Sequence, residues 1–106
     1  MGNQPIRIEV LNGTGESGLA NRVARALMKR GIDVVTTGNA ESFSHQQTIL
    51  IARKKNPEIE QLSKILGCRN TIEQLKDHAI IDATLLIGND FKSLKIDIEE
   101  DGVLLE

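Results

Sequence analysis

The sequence predicts an α+β domain, a ferredoxin-like two-layer sandwich in which one mainly antiparallel sheet carries two helices on one face. Two segments have the three- and four-residue apolar period of amphipathic helices, and four have the apolar pattern of strands. They follow one another in the order β-α-β-β-α-β, which is the split βαβ arrangement. The 106 residues can build one such core but not a cofactor domain plus a substrate domain.

The first three elements are a strand, a helix and a second strand. Residues 6–11 alternate between apolar and charged side chains, which predicts a strand, and a glycine-rich turn follows from Asn12 to Gly18. The helix is expected to begin after Ser17 as its N-cap and to stop at Gly31. Its predicted solvent face carries three cations: Arg22, Arg25 and Lys29. Residues 32–37 predict the second strand.

The second half repeats the pattern with a shorter helix. Residues 48–53 are apolar enough for a central strand, and a helix is expected from the N-cap Asn56 to Gly67. Residues 68–82 fit either an edge strand or a short helical turn. Residues 83–87 predict the last strand of the sheet.

The predicted strand order places polar loops together at one edge of the sheet. In a ferredoxin-like sheet the Asn12–Gly18 turn shares an edge with the loop 38–45 and the approach to Ala83, while the Gly88–Asp90 turn lies at the opposite edge. A binding site is expected at the first edge. The candidate residues for binding a ligand or a partner are five polar loop residues and two cations of the helix. They are Asn12, Thr14, Ser17, Asn39, Ser42, Arg22 and Arg25.

The turn also matches the pattern G-x-G-x-x-G, which in dinucleotide-binding proteins holds a pyrophosphate. The acidic residue expected about 20 positions later is missing, and Glu16 places a negative charge inside the loop. We therefore interpret Gly13, Gly15 and Gly18 as structural, with positive φ angles that allow a tight turn. Anion or nucleotide binding is the less favoured alternative, and no cofactor is expected.

Composition argues against several functional classes. The net charge is -2, whereas proteins that bind nucleic-acid backbones are usually strongly basic, so no nucleic-acid partner is expected. His45 and His78 are far apart and Cys68 is the only cysteine, so neither a metal site nor a catalytic set can be assembled. Apolar runs are too short to span a membrane.

Four short runs carry a resemblance to a known family. They are Val-Leu-Asn-Gly-Thr-Gly at 10–15, Ser-Gly-Leu-Ala at 17–20, Gly-Asn-Ala at 38–40 and Leu-Leu-Ile-Gly at 85–88. Together they resemble the LytR C-terminal domain family, over about residues 6–90. Such domains follow the catalytic domain of LytR-CpsA-Psr proteins or stand behind a membrane anchor in bacterial envelope proteins.

The resemblance implies an extracytoplasmic, cell-envelope setting. Because the chain holds no LytR-CpsA-Psr catalytic domain, the resemblance implies a non-catalytic accessory domain that binds a cell-wall glycan, such as peptidoglycan, or an envelope protein. A protein-interaction or dimerisation module is the alternative, and the oligomeric state is left open. Residues 3–96 are expected to form the one domain, and residues 97–104 an acidic tail or an extra edge strand. Residues 1–2 and 105–106 are expected to be cloning remnants.

Overall fold

A computed structural model describes residues 5–99 and contains two helices and one five-stranded sheet. The strands are β1 (Arg7–Asn12), β2 (Asp33–Asn39), β3 (Ile49–Ala52), β4 (Thr71–Glu73) and β5 (Ala83–Ile87). The helices are α1 (Leu19–Met28) and α2 (Glu58–Leu66), and a single 3-10 turn (Phe91–Ser93) follows β5. These elements confirm the predicted α+β class, and β4 identifies the ambiguous region after α2 as an edge strand.

The order of the strands differs from the ferredoxin-like prediction. The sheet runs β2-β1-β5-β3-β4. Strand β1 is parallel to both β2 and β5, β3 is parallel to β4, and only β3 and β5 are antiparallel. The predicted mainly antiparallel sheet is therefore wrong: the sheet is mixed, and most of its pairings are parallel.

The reason lies in the connection between β2 and β3. A hairpin would join them through a short turn of two to five residues. Instead, residues 40–48, here called the crossing loop, carry the chain from the outer strand β2 past β1 and β5 to β3. The molecule thus consists of two β-α-β units, residues 7–39 and residues 49–73, which lie on either side of β5 and run in opposite directions.

Both helices pack on the same face of the sheet, as predicted. Along α1 the fully buried side chains recur every four residues, at Leu19, Val23 and Leu27. They join one core with buried residues of α2 and of the strands. Arg30, just after α1, and Leu62, in the middle of α2, line one cleft, so the two helices are neighbours on this face.

The ends of the helices follow the sequence predictions in part. Gly31 and Gly67 end the helices with left-handed φ angles of 83° and 70°. The side-chain oxygen of Asn56 accepts a 2.9 Å hydrogen bond from the Glu58 amide, as predicted for a cap. The predicted cap Ser17 is wrong, because Gly18 holds that position with a φ of 76° and no side-chain cap.

The directions of the strands determine which loops lie at the same edge of the sheet. The carboxyl ends of β1, β2 and β5 lie beside the start of β3, and we call this the carboxyl edge of the sheet. The Asn12–Gly18 turn and the loop 38–45 share it, as predicted. The Gly88–Asp90 turn lies at this edge too, and Ala83 lies at the opposite edge. Both predicted placements are wrong, because β5 runs parallel to β1.

The predicted acidic tail is described only in part. Residues 97–99 are not in a strand, and positions 100–104 lie outside the described residues.

Candidate binding site at the carboxyl edge

The turn after β1 is held by two buried polar side chains. The Oδ1 atom of Asn12 accepts hydrogen bonds from the amide and the hydroxyl of Thr14, at 2.8 and 2.7 Å, and its Nδ2 atom donates to the Glu16 carbonyl at 2.8 Å. The Thr14 hydroxyl in turn accepts a 3.1 Å hydrogen bond from the Glu16 amide. Asn12 and Thr14 are only 4% and 2% exposed. These two candidate residues therefore shape the turn from inside.

The crossing loop is attached to this turn and to the end of β5. The amide of Ala40 donates to the Asn12 carbonyl at 2.9 Å, and the amide of His45 donates to the Gly13 carbonyl at 3.1 Å. On the other side, the Asn89 amide donates to the His45 carbonyl at 2.9 Å. The three loops of the carboxyl edge are therefore one hydrogen-bonded unit.

A second set of bonds fixes the end of the crossing loop. One carboxylate oxygen of Asp90 accepts hydrogen bonds from the amide and the hydroxyl of Thr48, at 2.8 and 2.7 Å. The same hydroxyl oxygen accepts a 3.0 Å hydrogen bond from the Gly88 amide. Because Thr48 is only 2% exposed, this contact ties β3 to β5 beneath the surface.

Two glycines make room for the crossing loop. A Cβ atom added at Gly13 would lie 2.7 Å from the Ile87 carbonyl oxygen and 2.8 Å from the His45 ring. One added at Gly88 would lie 2.7 Å from the backbone nitrogen of Gln47. The predicted positive φ is found only at Gly18 within this turn, so the interpretation of Gly13 and Gly15 is corrected. Gly13 is required by crowding, and no atom lies within 4 Å of an added Cβ at Gly15.

The crossing loop covers the place where the G-x-G-x-x-G pattern would bind a pyrophosphate. In dinucleotide-binding folds the pyrophosphate lies beyond the carboxyl ends of the central strands, where the backbone after the first strand is open. Here the loop crosses β1 and β5 at that place, and the His45 ring lies over Gly13. The geometry thus gives nucleotide binding no support.

The outer surface of the edge is polar and carries one aromatic ring. Of the candidate residues, Ser17, Asn39 and Ser42 are exposed there. The hydroxyls of Ser42 and Ser44 are 2.7 Å apart and hydrogen-bonded, and the side chain between them, Phe43, is 52% exposed. Phe43 is not among the site residues predicted from the sequence, although the polar residues around it mark it as a surface aromatic.

Arg22 and Arg25, predicted to share the solvent face of α1, have different environments. Arg25 is exposed, whereas Arg22 is only 6% exposed, so its predicted solvent placement is wrong. The guanidinium of Arg22 forms an ion pair with Glu16 and donates to the Glu99 carbonyl at 2.9 Å. Helical periodicity could not predict this burial, because it results from residues 95–99 packing along α1.

The remaining reactive groups lie away from this edge or inside the core. Cys68 is 4% exposed, and its thiol donates to the Thr48 carbonyl oxygen at 3.5 Å. Burial raises the pKa of the Cys68 thiol, which keeps it protonated near neutral pH. Within residues 5–99, no three His, Cys, Asp or Glu side chains lie close enough together to hold a metal ion.

One of three comparisons with known proteins identifies a family. A family model described as LytR cell envelope-related transcriptional attenuator matches residues 5–91. Comparison with curated proteins and with solved structures gives no match. Neither helix in the described part of the chain is long and apolar enough to cross a membrane.

Proposed function

The chain belongs to the LytR cell envelope-related family, whose domains are associated with the cell envelope, and we propose on that premise that it is a non-catalytic accessory domain that binds a cell-wall glycan outside the cytoplasm. The proposed binding surface is the carboxyl edge of the sheet. This assigns the exposed candidates Ser17, Asn39 and Ser42 to the ligand, and Asn12 and Thr14 to shaping the turn.

The observation that carries the proposal is the half-exposed ring of Phe43 between two serines. A sugar ring presents an apolar face and a rim of hydroxyl groups. An aromatic ring can cover the apolar face, while serine hydroxyls and an amide such as that of Asn39 bond to the rim. An open surface of this kind suits a polymer, whereas small ligands are usually enclosed in a deep pocket.

The rigid attachment of the loops supports the same proposal. Binding is weakened when side chains and loops must be ordered at the moment of association. The bonds from Ala40 and His45 to the turn after β1 fix both ends of the segment that carries Phe43. The exposed groups are therefore held in place before a ligand arrives.

Co-sedimentation with isolated peptidoglycan sacculi, with and without their attached anionic polymer, tests the proposal. The wild-type chain is expected in the pellet at moderate salt, and Phe43→Ala is expected to lower its affinity about fivefold or more, as the loss of a central aromatic contact does. Ile80→Ala is the matched control, because Ile80 is a 68% exposed apolar residue near the opposite edge of the sheet. Equal retention of the two variants, or a chain that stays in the supernatant, would contradict the proposal.

A second candidate function, binding a protein partner, has one specific observation in its favour. The seven-residue strand β2 lies at an edge of the sheet, and within the described residues it pairs only with β1. Open edge strands accept a strand from another chain. Sedimentation velocity over a concentration series separates the candidates: a concentration-dependent dimer favours the protein partner, and a strict monomer that binds sacculi favours the glycan.

A further inference from the structure

We propose that the exposed basic side of α1, together with the adjoining cavity at Arg22, is a docking surface for an extended acidic peptide of a protein partner, and that the chain's own residues 95–99 now occupy it. We call residues 95–99 the tail segment. The surface touches the carboxyl edge only at Glu16, which pairs with Arg22, and it contains none of the exposed residues assigned to the glycan. The inference therefore does not depend on glycan binding.

The tail segment contacts the basic residues of α1 and Arg30 through both its backbone and one side chain. Two main-chain carbonyls of the segment accept hydrogen bonds from arginines: that of Lys95 from Arg30 at 3.3 Å and that of Glu99 from Arg22 at 2.9 Å. The Glu99 carboxylate lies 3.6 Å from the Arg25 guanidinium and 3.3 Å from the Lys29 ammonium. The helix thus recognises backbone at both ends of the segment and one acidic side chain.

The side chains of the tail segment alternate between partly buried and exposed, and this alternation indicates which peptide sequence would fit the surface. Ile96 and Ile98 are partly buried against the core, whereas Asp97 and Glu99 are exposed. Burial thus alternates along residues 96–99 as it does in a strand with one covered side, with the isoleucines toward the domain and the acids toward solvent. A partner peptide is therefore expected to alternate branched aliphatic and acidic residues.

The surface contains a hydrogen-bond donor and a cavity that the tail segment does not fill. The Arg22 side chain is 7% exposed, and its Nε atom is buried without a hydrogen-bond partner among residues 5–99. A cavity of about 370 Å³ adjoins it. Its lining includes Glu16, Arg22, Phe91, Lys92, Ile96 and Asp97. Buried donors are normally satisfied, so the unused Nε indicates that another acceptor can be accommodated after a small rearrangement.

The ion pairs that hold the end of the tail segment are weak. Both ion pairs of Glu99 join side chains that are at least half exposed, and such pairs stabilise little. A tethered segment nevertheless competes well, because its effective concentration is in the millimolar range. The apparent affinity for a second peptide is lowered by the fraction of molecules in which the segment is bound.

The test uses the whole chain and the synthetic peptide Lys-Ile-Asp-Ile-Glu, with amide NMR shifts of α1 as the readout. Glu99→Lys repels Arg25 and Lys29 and frees the surface, so the peptide is expected to bind this variant about tenfold more tightly than it binds the wild type. The double variant Arg25→Glu/Lys29→Glu also releases the segment but removes the cations, so the peptide should not bind it. A peptide with Lys in place of both acids should regain binding to that double variant.

Matched controls make each outcome decisive. The double variant Lys54→Glu/Lys55→Glu changes two exposed cations outside α1 and should bind the peptide as the wild type does. The melting temperature of each variant verifies folding. Equal affinity of Glu99→Lys and the wild type, absence of peptide binding to every variant, or binding of inorganic polyphosphate in place of the peptide would each overturn the proposal.

Discussion

The two β-α-β units have the same connectivity but differ in the length of their strands and in the number of side chains that their helices bury. In the first unit the strands have six and seven residues, and α1 buries seven side chains. In the second unit the strands have four and three residues, and α2 buries three side chains. Each unit contributes a helix to the same core, and the first contributes the Asn12–Gly18 turn to the carboxyl edge.

The turns that lead into the two helices also differ. In the second unit, Asn56 caps the helix and two acids, Glu58 and Glu60, lie in its first turn, as helix N-termini favour. The first turn of α1 holds no acid, and Gly18 provides no side-chain cap. The polar side chains of that turn instead hold the turn itself, which supports the crossing loop. Departures from local rules are expected where a structure carries function, and this one lies at the proposed glycan surface.

The largest expected effect comes from filling the space at Gly13. Gly13→Ala should destabilise the chain by about 3 kcal/mol in denaturant unfolding, because the new Cβ would press on the Ile87 carbonyl and the crossing loop. Gly15→Ala is the control two residues away, where the added Cβ has open space, and should change stability by less than about 0.5 kcal/mol. Similar losses in both variants would mean that crowding is not what selects glycine at position 13.

A smaller effect compares the two asparagines that begin the turns. Asn12→Ala removes three hydrogen bonds from a buried site and should cost about 2 kcal/mol of unfolding free energy. Asn56→Ala removes the cap of α2 at a partly exposed site and should cost about 1 kcal/mol. The same denaturation experiment measures both. An Asn56 variant that loses more than the Asn12 variant would reverse the ranking of the two turns.

Local signals predicted the elements well because each depends on its own residues. The alternation at 6–11, the helical stripe of α1 and the stops at Gly31 and Gly67 are properties of short windows of sequence. The strand order depends on which strands pair, and pairing is decided by contacts between distant segments. One local signal did argue against a hairpin between β2 and β3: the polar stretch before residue 48 is longer than a hairpin turn needs.

The candidate site was predicted in position more than in detail. Sequence placed the Asn12–Gly18 turn and the loop 38–45 at one edge, and the structure brings them together through the bonds of Ala40 and His45. It could not separate Asn12, whose side chain is directed inward, from Asn39, which is exposed, because both are polar residues in loops. The burial of Arg22 likewise depends on a segment more than 70 positions away.

The smallest expected effect tests how tightly the second unit closes against the crossing loop. Cys68 follows α2, and its thiol donates to the carbonyl of Thr48, the last residue of that loop. Burial raises the pKa of this thiol above the ordinary value of 9.0, so the unfolded chain loses the proton first as pH rises. The stability that this group contributes is therefore fully present below pH 9 and decreases at higher pH. Urea unfolding of the wild type and of Cys68→Ala at pH 7.5 and 9.5 should show the wild type losing its advantage at the higher pH. A difference between them that stays constant would mean that water reaches the thiol in the folded chain, and that the second unit is open at this contact.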